Sequence, residues 1–349
     1  MIYVIMTLYF KSKNGIIWNN VHSCPEKRRN IIIINKILIG SMNTIITKFI
    51  IFQLCIWIPI IAGAYFSDKK YINVQALSQR LITINLISLE SFIVLWTIWG
   101  LKLTSDCIVL PIGGFVEVGI GLVAGIIAGA LVQFKGIQKH TFTISSSLAN
   151  HGFTMGGFLC YLFLGEKGLA LSFIFIIYFM PYVIIVIFSY ARYVGTRTPS
   201  SLKRYILTPQ NMPLYAVFAA LLLHYFDVKR PLINIPLDVM LAISLAIYYF
   251  SMGIYFKFKH IKVFWKAHIS LAVIKFIIVP MFMFFLLLLP QLSQDIKTVV
   301  QLQAFMPAAI YSVITSILFN LDKEMATSMF VVNTVVFSGV IMPVLIAIF

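Results

Sequence analysis

The sequence predicts an all-α polytopic membrane protein: ten transmembrane helices in two inverted five-helix repeats, with the fourth and ninth helices broken where they cross. Three observations carry this prediction. First, the 349 residues are 60% hydrophobic and only 11% charged, with a mean hydropathy of +0.96, whereas soluble domains carry roughly 25% charged residues. Second, the apolar residues fall into ten runs, most of them near the ~20 residues a helix needs to cross a bilayer. Third, helix-breaking residues sit inside the fourth and ninth runs at corresponding places.

Residues 1–41 begin with an apolar stretch, Met1 to Phe10, too short to span a bilayer. Lys11, Lys13, Lys27, Arg28 and Arg29 follow with no cleavage-site pattern, so a secretory signal is not expected. Met42 opens a cleaner start, directly before the first span. Residues 1–41 are therefore read as a mis-assigned start or a tail, with translation expected to begin at Met42. The ten spans are expected at 46–66, 81–100, 108–133, 142–164, 169–191, 211–226, 235–256, 264–289, 298–320 and 325–348.

The net charge of +16 would suggest nucleic acid in a soluble chain, but here the cations sit mostly in short connectors. Odd-numbered connectors hold fourteen of them, including Lys69, Lys135, Arg192, Lys257 and Lys323, whereas even-numbered ones hold five: Lys102, Lys167, Lys229, Arg230 and Lys297. The positive-inside bias places the odd connectors in the cytoplasm and both ends of the ten-span core outside. The connector rich in Thr, Ser and Pro, residues 194–210, is read as a cytoplasmic linker between a first repeat, 42–193, and a second, 211–349.

The two halves share a local pattern. Leu162-Phe-Leu-Gly-Glu-Lys-Gly-Leu-Ala-Leu-Ser172 matches Leu318-Phe-Asn-Leu-Asp-Lys-Glu-Met-Ala-Thr-Ser328 at five of eleven positions, 156 residues apart. Carried back, the offset sets His151 opposite Pro307. A repeat of five spans is odd in number, so the second copy enters from the opposite side and the repeat is inverted.

Around His151 the fourth span reads Ser145-Ser-Ser-Leu-Ala-Asn-His-Gly-Phe-Thr-Met-Gly-Gly-Phe158. Each glycine costs a helix interior about 1 kcal/mol relative to alanine, so the cluster Gly152, Gly156 and Gly157 favours unwinding there. In the ninth span Pro307 removes an N–H and clashes with the carbonyl one turn back. If both spans open near the membrane midplane, two half-helix N-termini point inward, each with free N–H groups suited to a carboxylate.

The pattern Ala304-Phe-Met-Pro307-Ala, then Asp322-Lys-Glu-Met-Ala-Thr-Ser328, then Asn333-Thr334 through Ser338 to Pro343, resembles the auxin efflux carrier family of membrane transporters. Ala149-Asn150-His151-Gly152-Phe153 is similar to that family's Asn-Thr-Gly-Phe element. The resemblance spans residues 42–349. It implies ten helices in two inverted halves crossing at the fourth and ninth. It also implies transport of small organic anions such as malonate, malate or auxin-like acids, as a uniporter or linked to protons. Asn150 and Pro307 carry over as crossing-site residues. Where the family often has a proline after its Asn-Thr-Gly-Phe element this chain has Gly156-Gly157, and where the family often has one in the second span it has Leu89-Glu90.

The expected substrate-binding residues are Asn150, His151, Gly152, Met306, Pro307 and Lys275. Ionisable residues inside spans are costly and mark function by default. Lys275 can pair with a substrate carboxylate or an acidic side chain, or it can pin broken-helix carbonyls. Burial favours the neutral form of a carboxyl, so Glu90 is a candidate for the coupling proton and, equally, a fixed partner for Lys275 or His151. Glu117 is a second candidate and His151, which titrates near neutrality, a third. His224 and Asp238 lie near span ends and are expected to be interfacial. The hydroxyls of Thr334 and Ser338 face either the crossing or, by back-bonding, their own helix.

Several classes are excluded or weakened. There is no Gly-x-x-x-x-Gly-Lys-[Ser/Thr] loop, hence no ATP-driven pump in this chain, and no His-Glu-x-x-His. Cys24, Cys55, Cys107 and Cys160 show no metal-ligand spacing, so free thiols are expected. A sodium-coupled organic anion symporter is the alternative, and an intramembrane enzyme using His151 with Glu90 a remote one; the chain is read as a transporter and not an enzyme. No cofactor, metal or nucleic acid is implied. The expected partners are the bilayer of the cell membrane, a small organic anion and protons, with a homodimer left open.

Overall fold

The computed structural model describes residues 53–67, 74–195, 211–255, 260–288 and 292–348, with a few positions just before residue 53. These belong to the compact unit Ile51–Phe349. The expectations for residues 1–41 and for the linker beyond Gly195 lie outside the described residues.

The fold is helical throughout the described residues. In chain order the main helices are α1 (Gln53–Ser67), α2 (Ala76–Trp99), α3 (Ser105–Leu131), α4 (Gly136–Ser147), α5 (Phe153–Val194), α6 (Met212–Tyr225), α7 (Leu237–Tyr255), α8 (Trp265–Phe285), α9 (Gln294–Ala304), α10 (Ile310–Leu318) and α11 (Lys323–Ile348). Among the described residues, six of these (α2, α3, α5, α7, α8 and α11) are long and apolar enough to cross a membrane. The chain is thus a polytopic helical membrane protein.

Helix α5 runs 42 residues, twice what one crossing needs, and it is bent back on itself. Gly165 carries φ 61° and ψ −149°, a conformation essentially restricted to glycine. The arms before and after it pack together: Phe153 stacks on Phe173 with centroids 6.3 Å apart. The turn falls between the fourth and fifth apolar runs, as their boundaries at 164 and 169 anticipate.

Helix α3 shows how composition sets the packing. Gly113, Glu117, Gly121, Gly125 and Gly129 recur every four residues on one buried face, while Ile112, Phe115, Val116, Val123 and Ile127 are exposed. In lipid, where apolar surface gives helices no reason to associate, small residues let backbones approach. α4 lies along this groove, its Ser146 and Ser147 backbone close to Gly121. A second close approach joins α1 to α7. A Cβ on Gly63 would sit 2.1 Å from the Phe250 carbonyl oxygen, and one on Gly253 2.1 Å from that of Ile60. α2 packs along α5, α6 and α7, while α3, α4, α5, α8 and α9 pack on one another, and α11 packs on α4, α8 and α10.

Among the described residues two sets of connector contacts stand out. At one end Asp106 accepts from the Ser293 N–H at 3.2 Å, Lys167 pairs with Asp295 at 2.5 Å, and Arg230 pairs with Glu166 and donates to the Trp96 carbonyl. These contacts join the second, fourth, sixth and eighth connectors. Elsewhere Gln138 donates to Asp322 at 3.3 Å and the Asp322 N–H donates to Thr141 at 3.1 Å, joining the third connector to the ninth.

Candidate functional site

Two helices stop short inside the bundle. α4 ends at Ser147 and the chain is extended at Leu148 (φ −77°, ψ 128°) and Gly152 (φ −70°, ψ −169°) before α5 begins. α9 ends at Ala304 and the chain is extended at Ala309 (φ −81°, ψ 149°) before α10 begins. The second break falls on Pro307 as the sequence predicts. The first lies upstream of Gly156 and Gly157, which belong to a π-helical turn, Phe153–Gly157. The expectation that all three glycines unwind is corrected here. The unwound residues are Leu148 to Gly152, because the chain there finds other backbone to bond to.

That other backbone is the second break. The Asn150 N–H donates to the Pro307 carbonyl at 2.7 Å, and the Ala309 N–H donates to the Leu148 carbonyl at 3.1 Å. Ala149 and Ala308 form an antiparallel bridge. Each break thus satisfies amide groups that the other leaves open, which is what makes irregular backbone tolerable in a bundle interior. The Ala308 N–H goes to the Asn333 side-chain oxygen at 2.8 Å. The ends of four helices converge: the C-termini of α4 and α9, with partial negative charge, and the N-termini of α5 and α10, with partial positive charge.

Three side chains form a chain of short hydrogen bonds beside the crossing. His151 Nδ1 lies 2.6 Å from the Tyr178 hydroxyl and Nε2 2.6 Å from Glu117 Oε1. His151 is 1% exposed and Glu117 2%, so this is a dry pair. Lys275, 1% exposed, donates to the Ser147 carbonyl at 3.4 Å, at the C-terminus of α4, and lies within electrostatic reach of Glu117. A cation at a helix C-terminus meets the favourable end of the dipole. Of the three contacts expected for Lys275, a substrate carboxylate, an acidic side chain or a broken-helix carbonyl, the structure shows the bond to the broken-helix carbonyl, with Glu117 within electrostatic reach. The Ser147 hydroxyl contacts the Tyr182 hydroxyl at 2.7 Å.

Glu90 stands elsewhere. It is buried, and Tyr248 of α7 donates to its Oε2. One turn earlier Asn85 donates to Ser244 at 2.8 Å. Neither Lys275 nor His151 is its partner, which corrects that expectation: both are taken by the Glu117 cluster. Glu90 and Lys275 each lie in a π-helical turn, Leu86–Glu90 and Ile274–Ile278, a distortion frequent at functional positions.

Of the expected substrate-binding residues, the structure brings Asn150, His151, Gly152, Met306 and Pro307 together at the crossing and sets Lys275 beneath it. The Asn150 side chain accepts from Thr154 at 2.9 Å. A Cβ on Gly152 would meet nothing within 4 Å, so the backbone there borders open space, whereas Met306 is fully buried. His224 bonds the Ile98 carbonyl at 2.8 Å, and Tyr161 donates to Asp238 at 2.7 Å. Thr334 and Ser338 do not back-bond: among the described residues their hydroxyls make no hydrogen bond. Cys55, Cys107 and Cys160 are free, and no His, Cys, Asp or Glu group among the described residues is arranged to hold a metal.

Two site residues escape sequence reasoning. Gln303, fully buried, donates to the His151 carbonyl at 3.3 Å, and its Oε1 has no hydrogen-bond partner. Asn333 holds the second break through Ala308, and its Nδ2 donors have no hydrogen-bond partner. The available signal was an amide inside an apolar run, costly unless bonded.

With this geometry in hand, comparison with known proteins adds one finding. Residues 196–346 match the model of a family described as membrane transport protein, which bears out the resemblance drawn from the residues of the last quarter. No curated protein matches the chain.

Proposed function

We propose, from the membrane transport family match and the crossing together, that the chain is a secondary transporter of a small organic anion, a dicarboxylate such as malonate or malate or an auxin-like acid, linked to protons. The observation that carries this is the mutual hydrogen bonding of the two breaks, Asn150 to Pro307 and Leu148 to Ala309. It sets two half-helix N-termini and the unpartnered Asn333 amide around one place inside the bundle. N–H groups and helix N-termini suit a carboxylate, and discontinuous helices at the midplane are where secondary transporters hold substrate.

The ten-span inverted repeat belongs to the same proposal. Residues that touch across the molecule recur at nearly one separation: Asn85 with Ser244, 159 apart, and Glu90 with Tyr248, 158 apart. Ala149 with Ala308 follows the same interval, and Lys275 lies within electrostatic reach of Glu117 at the same separation. These separations lie within three residues of the 156-residue sequence offset, and contacts between near-equivalent positions of two copies are what a two-fold axis produces. The two sets of connector contacts support ten crossings, with the odd, lysine-rich connectors in the cytoplasm.

In this mechanism the anion rests at the N-termini of α5 and α10, near Asn150, Gly152 and Asn333, with Lys275 supplying positive potential from below. Rocking of one helix group against the other then exposes the crossing to each side in turn. Glu90, Glu117 and His151 are the groups able to move a proton. The test is uptake of labelled malonate, malate and an indole-type acid into proteoliposomes under pH or sodium gradients. Accumulation that follows the pH gradient is expected. Accumulation that requires sodium, or none for any of these anions, contradicts the proposal.

A further inference from the structure

Three buried groups near the crossing can change charge, and their surroundings separate them. Glu117 is matched on two sides: His151 bonds it at 2.6 Å and the Lys275 ammonium is within electrostatic reach. Its Oε1 is bonded by a side chain able to carry positive charge, and a cation lies within reach, while Oε2 is buried without a hydrogen-bond partner. His151 is held at both ring nitrogens, by Tyr178 and Glu117, and cannot release either contact without orphaning a buried partner.

Glu90 has no such balance. Among the described residues the titratable groups acting on it are Tyr248 of α7 and Tyr311 of α10, both neutral hydroxyls. α6 also packs against this turn; its imidazole, His224, is bonded to the Ile98 carbonyl. The one acidic group of α7, Asp238, accepts from Tyr161. No cation pairs with Glu90 among the described residues. A buried carboxylate without a cation is costly, and such a group neutralises instead.

The position fits a moving proton. Glu90 lies on α2, which packs with α6 and α7, while Tyr311 lies in the first turn of α10, directly after the second break. Glu90 therefore stands at the seam between the α2, α6 and α7 group and the crossing. A rocking motion there would change its contact with water.

We propose that Glu90 is the residue that takes up and releases the coupling proton, and that Glu117, His151 and Lys275 form a fixed charge-balanced cluster that supports the crossing. The proton arrives from water on one side and binds Oε1, since Oε2 accepts from Tyr248. The neutral acid crosses the closed state, and the proton leaves to water on the other side. This rests on the proton-linked transport proposed above and names the residue that performs the coupling.

The test uses the full chain with two readouts. Infrared difference spectra of the purified protein report protonated carboxyls whether or not transport occurs. At neutral pH a protonated-carboxyl band is expected, lost in Glu90→Gln and kept in Glu117→Gln. Gln matches the shape of the neutral acid and can accept from Tyr248, so this variant should fold; Tyr248→Phe, which removes only the donor, should shift the band. In proteoliposomes Glu90→Gln should still exchange internal for external malonate but lose at least tenfold of its pH-gradient-driven accumulation. A band unaffected by Glu90→Gln, or full accumulation by that variant, overturns the assignment. If the band behaves as expected and the wild type transports none of the anions, the transport proposal fails and takes the coupling role with it, while Glu90 stands as a buried neutral acid.

Discussion

His151 joins two groups that have no easy substitute for it. Removing the imidazole leaves Glu117 and the Tyr178 hydroxyl facing each other across a gap, in a site where all three side chains are buried. Leaving a buried polar group without its partner costs about 1–3 kcal/mol. His151→Ala is therefore expected to lower the melting temperature of the detergent-purified protein strongly, and His151→Gln, which keeps a donor, less so; equal melting temperatures for wild type and His151→Ala would disprove the cluster. Asn333→Ala orphans the Ala308 N–H, and an unpaired buried group costs about 1–3 kcal/mol. The same thermal measurement should show that loss, with a larger deficit in anion binding than stability alone explains. At this scale the sequence spoke unevenly. Glu117, Lys275 and His151 announced themselves as charges or imidazole inside apolar runs. That Glu117 would meet His151 and Lys275 while Glu90 would not is a fact of helix rotation, invisible in any one span. Gln303 and Asn333 matter only because the breaks present bare amides and carbonyls to them.

The elements follow from where helices are forced to stop and where they can approach. Proline made the second break legible, because its missing N–H and its ring dictate the site. The first break falls at His151 and Gly152, as the sequence expects, while Gly156 and Gly157 stay helical. The chain opens at Leu148 to Gly152, where bonds to Pro307 and Ala309 replace the helical ones, a partner that local sequence does not display. Gly165 reverses α5 with a φ that other residues resist. Gly165→Ala should cost about 1–3 kcal/mol of strain, read as a lower melting temperature; a neutral result would mean the turn relaxes. The contact of α1 with α7 offers a cleaner contrast. At Gly253 an added methyl meets the Ile60 carbonyl at 2.1 Å, whereas at Gly119 and Gly339 it meets nothing. Thermal melts should rank Gly253→Ala well below Gly119→Ala and Gly339→Ala, and similar values for all three would exclude that close approach.

Across the whole molecule, charge and hydropathy announced a polytopic helical membrane protein, and the family match over residues 196–346 agrees. Among the described residues the second, fourth, sixth and eighth connectors contact one another and the third contacts the ninth, and positive charge favours the odd-numbered set. On a cysteine-free background in intact cells, an impermeant maleimide is expected to label Lys229→Cys directly and Lys323→Cys only after permeabilisation, both positions being exposed; the reverse pattern would invert the proposed topology. The proposed resting place of a small organic anion is where the two breaks bond to each other. Equilibrium binding of labelled malonate, malate or an indole-type acid to the purified chain tests it most directly. Saturable binding of at least one of these anions is expected, competed by the unlabelled compound and weakened tenfold or more in Asn150→Ala, Pro307→Ala and Asn333→Ala variants that remain folded. Binding of none of them, or binding that all three variants leave unchanged, would contradict it.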